Sequence, residues 1–351
     1  MVVWARPSRA FGQRPNMSGF GTLTLENSTA PATRVLVTGG AGYIGSHVVR
    51  ALRSSGHEPV VLDDLSTGHR EFVPEDVAFH QTDVLDTAGV AAILADASIT
   101  AVIHLAAFKY AGVSVHRPIH TWRQNAQGTI SLLTAMSEVG VENLVFSSTA
   151  AVYGTTDIPL VLETTPTQPE SPYGESKLAS ERMIADLGAT GALRYTNLRY
   201  FNVVGSGSPE LYDSSPHNLF PLVIDALLEG RQPVIFGDDY PTPDGTCVRD
   251  YVHVSDLAAA HVVALERLVN KQTVEAIYNL GSGDGVSVRE IMDAVATATG
   301  IDFTPKVAER RPGDPPRIVA SGELAARDLD WTMRHSLNDM VRSAWQARHR
   351  D

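Results

Sequence analysis

Two side chains in the segment SPYGESKLAS, residues 171–180, have the types and spacing for proton-transfer chemistry: Tyr173 and Lys177. Residues four apart on a helix share a face, with Cβ atoms about 5–6 Å apart. Ser171 followed by Pro172 matches the preferences of the N-cap and the first helical position. An ammonium beside a phenol favours the phenolate, drawing a reference pKa of about 10 towards the range where tyrosine serves as a general base. The same spacing also suits an ordinary amphipathic helix with a solvent-facing lysine, so the pair needs company before it defines a site.

A second signal lies nearer the N-terminus. VLVTGGAGYIGSH sets Gly39, Gly42 and Gly45 at three-residue intervals, directly after an apolar run and opening a helical pattern. Such glycines permit a tight turn and close backbone approach, so that a dinucleotide pyrophosphate can sit over the helix N-terminus, where free N–H groups and the dipole favour negative charge. Asp63 follows Gly45 by 18 residues at the end of the next apolar run. A carboxylate there accepts hydrogen bonds from the adenosine ribose and repels a 2′-phosphate, which favours NAD over NADP.

The elements needed to position these groups are legible in the alternation from Arg34 onward. RVLVTGG reads as a strand, residues 43–55 as a helix and PVVLDD as a strand, with VAFHQTDV, AVIHLAA and NLVFSS further on and helical stretches between. Continuous apolar strands separated by helices predict an α/β fold: a doubly wound, Rossmann-like parallel sheet covered on both faces. After LRYFNVVG the pattern breaks into loops rich in Pro, Gly and Asp, which reads as a smaller, loop-rich C-terminal substrate region. The expected division is a disordered tail over residues 1–33 and a cofactor-binding domain over 34–203, with 250–270 returning to it. Residues 204–249 and 271–351 form the substrate region. The arginine-rich, acid-poor start also has a faint transit-peptide character, and Met17 is an alternative start.

Composition narrows the function. The chain has 351 residues, 43% hydrophobic and 19% charged, with a formal net charge of −12. That is enough to bury a large core, and the acidity argues against a nucleic-acid binder or a polybasic membrane-surface protein. The longest apolar run, LAAAHVVAL, is too short to cross a bilayer, so no membrane association is expected. Cys247, the only cysteine, excludes an internal disulfide and suits a reducing cytoplasm. His116 and His120 bracket Pro118 without a third ligand at matching spacing, so no metal is expected.

From Arg34 onward, nearly the whole chain resembles the extended short-chain dehydrogenase/reductase family, and within it the nucleotide-sugar 4-epimerases. The resemblance is carried by VTGGAGYIGSH, HLAAFKYAGVSV, FSSTAAVYG, SPYGESK, LRYFNVVG, NLFPLV, IFGDDYPTPDGTCVRDYVHVSDLA, YNLGSG and ERRPGDPP. It implies an NAD-dependent isomerase that interconverts UDP-glucose and UDP-galactose in galactose metabolism, with Thr149, Tyr173 and Lys177 as a catalytic triad. It also implies that Gly39, Gly42, Tyr43, Ile44, Gly45 and Asp63 hold the cofactor, that Asp83 and Val84 flank its adenine, and that Leu105, Ala106, Ala107 and Lys109 pass beneath it. Asn125 and Phe201 complete that site. For the UDP-hexose substrate the resemblance points to Asn202, Asn218, Leu219, Phe236, Arg249, Arg311 and Asp314. Guanidinium forks suit a pyrophosphate, and an aromatic face can pack on uracil; an Arg249–Asp250 ion pair is the alternative use of that arginine. A homodimer pairing helices 118–140 and 172–188 is implied as well.

Two departures sharpen the reading. Ala150 and Ala151 stand where related nucleotide-sugar dehydratases carry an Asp-Glu pair, and methyl side chains perform no acid–base elimination. Ile318 takes the position that decides whether an N-acetylated sugar fits, and its intermediate size leaves UDP-N-acetylhexosamines open. The competing class is a dinucleotide-sensing protein without catalysis, which would be expected to lose Tyr173 or Lys177; here both remain.

Overall fold

Arg34–Thr38 (β1) shows why the sheet is buried on both sides. Val35 and Val37 point into one core and Leu36 into another, all fully buried, as the two-residue period of a strand requires. The structure, a computed structural model, describes residues 32–311 and 314–349. Nearly all of the expected tail lies outside them. Thr33, assigned to that tail, is in fact buried and donates its N–H to His57 Nδ1 at 3.3 Å.

β1 is joined by Glu58–Asp63 (β2), Ala78–Gln81 (β3), Ala101–His104 (β4), Asn143–Ser147 (β5), Arg194–Tyr200 (β6) and a seventh strand, Ile277–Leu280. All pair in parallel, in the order Ile277–Leu280, β6, β5, β4, β1, β2, β3. The winding reverses between β1 and β4, and ligands bind in doubly wound sheets outside the carboxyl ends of strands at such a point. The seventh strand comes from residues expected in the substrate region, so the return to the large sheet extends beyond 250–270.

In chain order the α-helices are Tyr43–Ser54 (α1), Thr87–Asp96 (α2), Ala111–His116 (α3), Pro118–Trp122 (α4), Gly128–Val139 (α5) and Pro172–Ala189 (α6). They continue with Leu219–Leu228 (α7), Val254–Val269 (α8), Val288–Thr299 (α9), Glu323–Leu329 (α10) and Leu337–Arg348 (α11). α1, α8 and α10 cover one face of the sheet, and α2, α5 and α6 the other. The helix expected over 118–140 is divided: a π-helical turn, Arg123–Gln127, joins α4 to α5. No helix among the described residues is long and apolar enough to cross a membrane.

A third core, built by α7, α9 and α11 around Val204, Ile235 and Tyr251, underlies the loop-rich region. Its strands are two or three residues long. Asn202–Val204 pairs with Tyr251–His253, Val234–Phe236 with Lys306–Ala308, and Val248–Arg249 lies between Val286–Ser287 and Arg317–Ile318.

Candidate active site

Helix α6 starts as its sequence suggests. Ser171 Oγ accepts the Gly174 N–H at 3.2 Å and Pro172 occupies the first turn. Gly174 allows that turn to press on the loop after β5: a Cβ there would stand 2.6 Å from the Ala151 carbonyl oxygen. This approach brings Tyr173 beside Thr149, whose side chain favours the ionised phenol. Thr149 Oγ1 also accepts the Ala151 N–H at 3.2 Å, and the Tyr173 N–H donates to Ser114 Oγ at 3.1 Å. Lys177 is 4% exposed; its Nζ donates to the Ser147 carbonyl at 2.8 Å and lies 4.6 Å from the centroid of the Phe146 ring. The buried ammonium excludes the solvent-facing lysine considered above.

The electrostatics depart from the simple expectation that Lys177 draws down the Tyr173 pKa. Burial pushes the phenol above its ordinary value, opposed by the Thr149 side chain. Burial also lowers Lys177 to about 7, opposed by the Glu181 carboxylate one turn further along α6. Loss of solvation penalises both charged forms at once, and this outweighs the benefit of setting the two groups on one face.

The glycine turn is shaped for close approach. Gly39 takes φ +72°, and a Cβ there would lie 2.8 Å from the Ala106 nitrogen. A Cβ at Gly45 would lie 2.1 Å from the Gly39 carbonyl oxygen. α1 begins at Gly42 with neither a side-chain cap nor an acidic residue in its first turn, whereas α2, α6, α9 and α11 each have a side-chain cap. An uncapped N-terminus over a glycine turn fits a pyrophosphate. Asp63 accepts the Ala41 N–H at 3.0 Å and the Leu65 N–H at 2.9 Å at the end of β2. These residues fit NAD.

Other expected cofactor residues sort by what their side chains do. Tyr43 donates its hydroxyl to the Gly205 carbonyl at 2.6 Å, so its side chain ties α1 to the substrate region. Ile44 packs against the α1–α8 core. Asp83 accepts the Leu85 N–H at 3.0 Å, and Val84 is buried. The half-buried Leu105–Ala107 stretch leaves β4 beside Gly39, anchored by the Leu105 N–H on the Thr38 carbonyl at 3.1 Å. Asn125, 2% exposed, accepts from Phe108 N at 2.7 Å and donates to Phe108 O at 3.1 Å and Ser176 Oγ at 2.9 Å. It thus fixes the segment that approaches the cradle. Lys109 Nζ reaches Asp213 Oδ1 at 3.9 Å, and Phe201 is half-buried just past β6.

The substrate residues form two groups. Arg249 Nη1 donates to the carbonyls of Pro315 (2.7 Å) and Val248 (3.0 Å), while its buried Nη2 stands 3.5 Å from Asp314 Oδ1 without a hydrogen-bond partner. Asp314 accepts Arg311 Nε at 2.8 Å, and the Arg311 guanidinium lies 5.2 Å from the Phe236 ring centroid. Asp250 instead accepts the Ser282 and Ala320 N–H groups, so Asp314 is the carboxylate beside Arg249. In the second group, Asn218 Nδ2 donates to Asp213 Oδ2 at 2.6 Å, which links it to Lys109, and Leu219 begins α7. Asn202 donates to the Asp250 carbonyl at 2.9 Å, and Ile318 pairs in register with Arg249. Sequence reasoning passed over Tyr200, whose phenol is raised by burial and by nearby Tyr173, with Ser147 opposing. It also passed over Glu181, although the spacing 173, 177, 181 was there to be read.

A doubly wound parallel sheet with a glycine cradle at its switch point, and a half-buried tyrosine with a buried lysine one turn on beyond β5, defines a nicotinamide-dependent short-chain dehydrogenase/reductase type of protein. The chain belongs to the NAD dependent epimerase/dehydratase family, whose pattern matches residues 35–281. It is 44% identical over 315 residues to the UDP-glucose 4-epimerase of Corynebacterium glutamicum, covering 89% of this chain and 94% of that one. It is similar in structure to the UDP-glucose 4-epimerase from Brucella ovis in complex with NAD (TM-score 0.86, 40% identity, 90% of this chain and 98% of that one). The UDP-glucose 4-epimerase from Bifidobacterium longum in complex with NAD+ and UDP is also similar (TM-score 0.81, 34% identity, 90% and 98%).

Proposed function

We propose that the chain interconverts UDP-glucose and UDP-galactose with NAD, through transient oxidation at sugar C4. The observation that carries this reading is half-buried Tyr173 with buried Lys177 one turn on, and Thr149 beside the phenol, at the carboxyl edge of the sheet that also carries the glycine cradle. When bound, NAD would supply the hydride-accepting and hydride-returning chemistry and, in its oxidised form, a positive charge. Tyr173 takes the proton of the 4-hydroxyl, directly or through Thr149, and returns it to the reduced sugar. Lys177, anchored on the Ser147 carbonyl, opposes the negative charge of the phenolate. The 4-keto sugar stays tethered through its UDP while the ring turns to present its other face.

UDP is held by Asn202, Asn218, Leu219, Phe236, Arg249, Arg311 and Asp314. Arg249 Nη2, buried without a hydrogen bond and ion-paired to Asp314 only at 3.5 Å, supports a phosphate role, since a buried guanidinium nitrogen with no hydrogen bond is costly. Elimination chemistry is disfavoured because Ala150 and Ala151 follow Thr149 with no acid or base. Ile318, half-buried against Val152, Tyr153, Val161 and Leu178, leaves room to consider a second activity on UDP-N-acetylhexosamines. Ile119 at 80%, Val115 at 56% and Ile130 at 50% exposure form an apolar surface along α3–α5 that supports a homodimer through this side. The single Cys247 is in keeping with a reducing cytoplasm. The separate core of α7, α9 and α11 supports a substrate-binding region distinct from the cofactor-binding one.

Purified protein given UDP-galactose without added NAD is expected to form UDP-glucose, and a parallel assay with UDP-N-acetylglucosamine reads the part played by Ile318. No turnover of UDP-galactose even after NAD is supplied would remove the reading.

A further inference from the structure

The face of α6 that carries Tyr173 and Lys177 reaches, one turn further on, Glu181, whose carboxylate is 4% exposed. Arg199 on β6 holds it with a fork, Nε on Oε1 at 2.9 Å and Nη2 on Oε2 at 2.5 Å. Ser148 Oγ donates a short hydrogen bond to Oε1. Arg199 Nη1 in turn donates to the Tyr153 hydroxyl at 2.9 Å, and that hydroxyl donates to Asn279 Oδ1 at 2.7 Å. A buried ion pair is a weak source of stability: desolvation of both charges commonly offsets their attraction, and apolar replacements of similar volume are often neutral or better. What this one adds is placement. Ser148 lies between Ser147, whose carbonyl accepts from Lys177, and Thr149, whose hydroxyl meets Tyr173.

We propose that Glu181 is a positioning residue for the C4 chemistry: by gripping Ser148 it fixes the strand end that presents the Ser147 carbonyl to Lys177 and the Thr149 hydroxyl to Tyr173. This rests on the functional reading above. The carboxylate also acts through its charge. Lys177 is faced by Glu181 and Tyr173 from its own helix, by the Phe146 ring from β5 and by His104 from β4, which burial and the Lys177 charge together hold neutral. Glu181 is faced by Arg199 and Tyr195 from β6. Among the titratable groups facing Lys177, Glu181 is the one whose charge favours the ammonium against burial.

The test compares Ser148→Ala and Glu181→Gln with the wild-type holoenzyme for kcat, KM, Tm and the pH profile of kcat on UDP-galactose. Ser148→Ala removes one hydroxyl and no charge. It is expected to lower kcat about tenfold at unchanged KM, with a modest fall in Tm from the lost buried hydrogen bond and the alkaline limb of the profile in place. Glu181→Gln is expected to lower kcat and move that limb to lower pH, because Lys177 then gives up its proton more readily. Wild-type kcat in Ser148→Ala, or an unmoved limb in Glu181→Gln, overturns the proposal, and Ser148→Ala decides alone if Glu181→Gln fails to fold. Absence of turnover in the wild type would instead strike the functional reading, so the two failures are distinguishable.

Discussion

Tyr173 must lose a proton to act as a base, yet its surroundings in the chain alone oppose that loss. Burial raises its pKa, and the nearby lysine is itself pulled down to about 7. On the proposed function, the positive charge of oxidised NAD would offset this penalty. In protein stripped of NAD, the ultraviolet difference titration between wild type and Tyr173→Phe is expected to show no Tyr173 phenolate below pH about 10. Restoring oxidised NAD is expected to move the transition to lower pH. A phenolate signal near neutral pH in the stripped protein would contradict this balance. The Tyr–Lys pair and its Ser171–Pro172 start were legible from spacing and capping preferences alone. The sign of the Tyr173 shift was not, because desolvation depends on how other segments pack over the side chain. The same holds for Asn125, a sequence-level candidate for touching the cofactor, whose carboxamide is taken up by Phe108 and Ser176.

At the level of elements, the turn from β1 into α1 has the least tolerance for change. Gly45→Ala would drive a Cβ against the Gly39 carbonyl, a backbone atom that cannot step aside without opening the cradle. Such overpacking typically costs about 1–3 kcal/mol. The variant is expected to purify with little or no NAD and a lowered Tm, read by the NAD released per chain on denaturation; stoichiometric NAD in this variant would argue against the cradle as its site. The βαβ alternation was readable because strands buried on both faces are continuously apolar. The interruption of residues 118–140 by a π-helical turn was not, since it depends on local hydrogen bonding within a pattern that reads as helix throughout. The two- and three-residue strands around Arg249 and Ile318 have no period long enough to detect, and their partners lie far away in sequence.

For the molecule as a whole, a chain of net charge −12 must hold an anionic nucleotide sugar, and it can do so by concentrating guanidinium groups locally. Arg249 and Arg311 meet around Asp314 on the separate α7–α9–α11 side, while Tyr43 and Lys109 reach from the sheet side to Gly205 and Asp213. In the proposed function, that arrangement would grip the nucleotide at one end and leave the sugar end to turn beside Tyr173. In the proposed reaction one hydrogen leaves C4 and returns to the same carbon on the opposite face, without passing through water. The most direct measurement is the conversion of UDP-galactose carrying deuterium at C4, followed by mass spectrometry and NMR of the UDP-glucose formed. Deuterium retained at C4 of the product in ordinary water is the result expected; deuterium washed out into solvent, or moved to another carbon, would contradict the account.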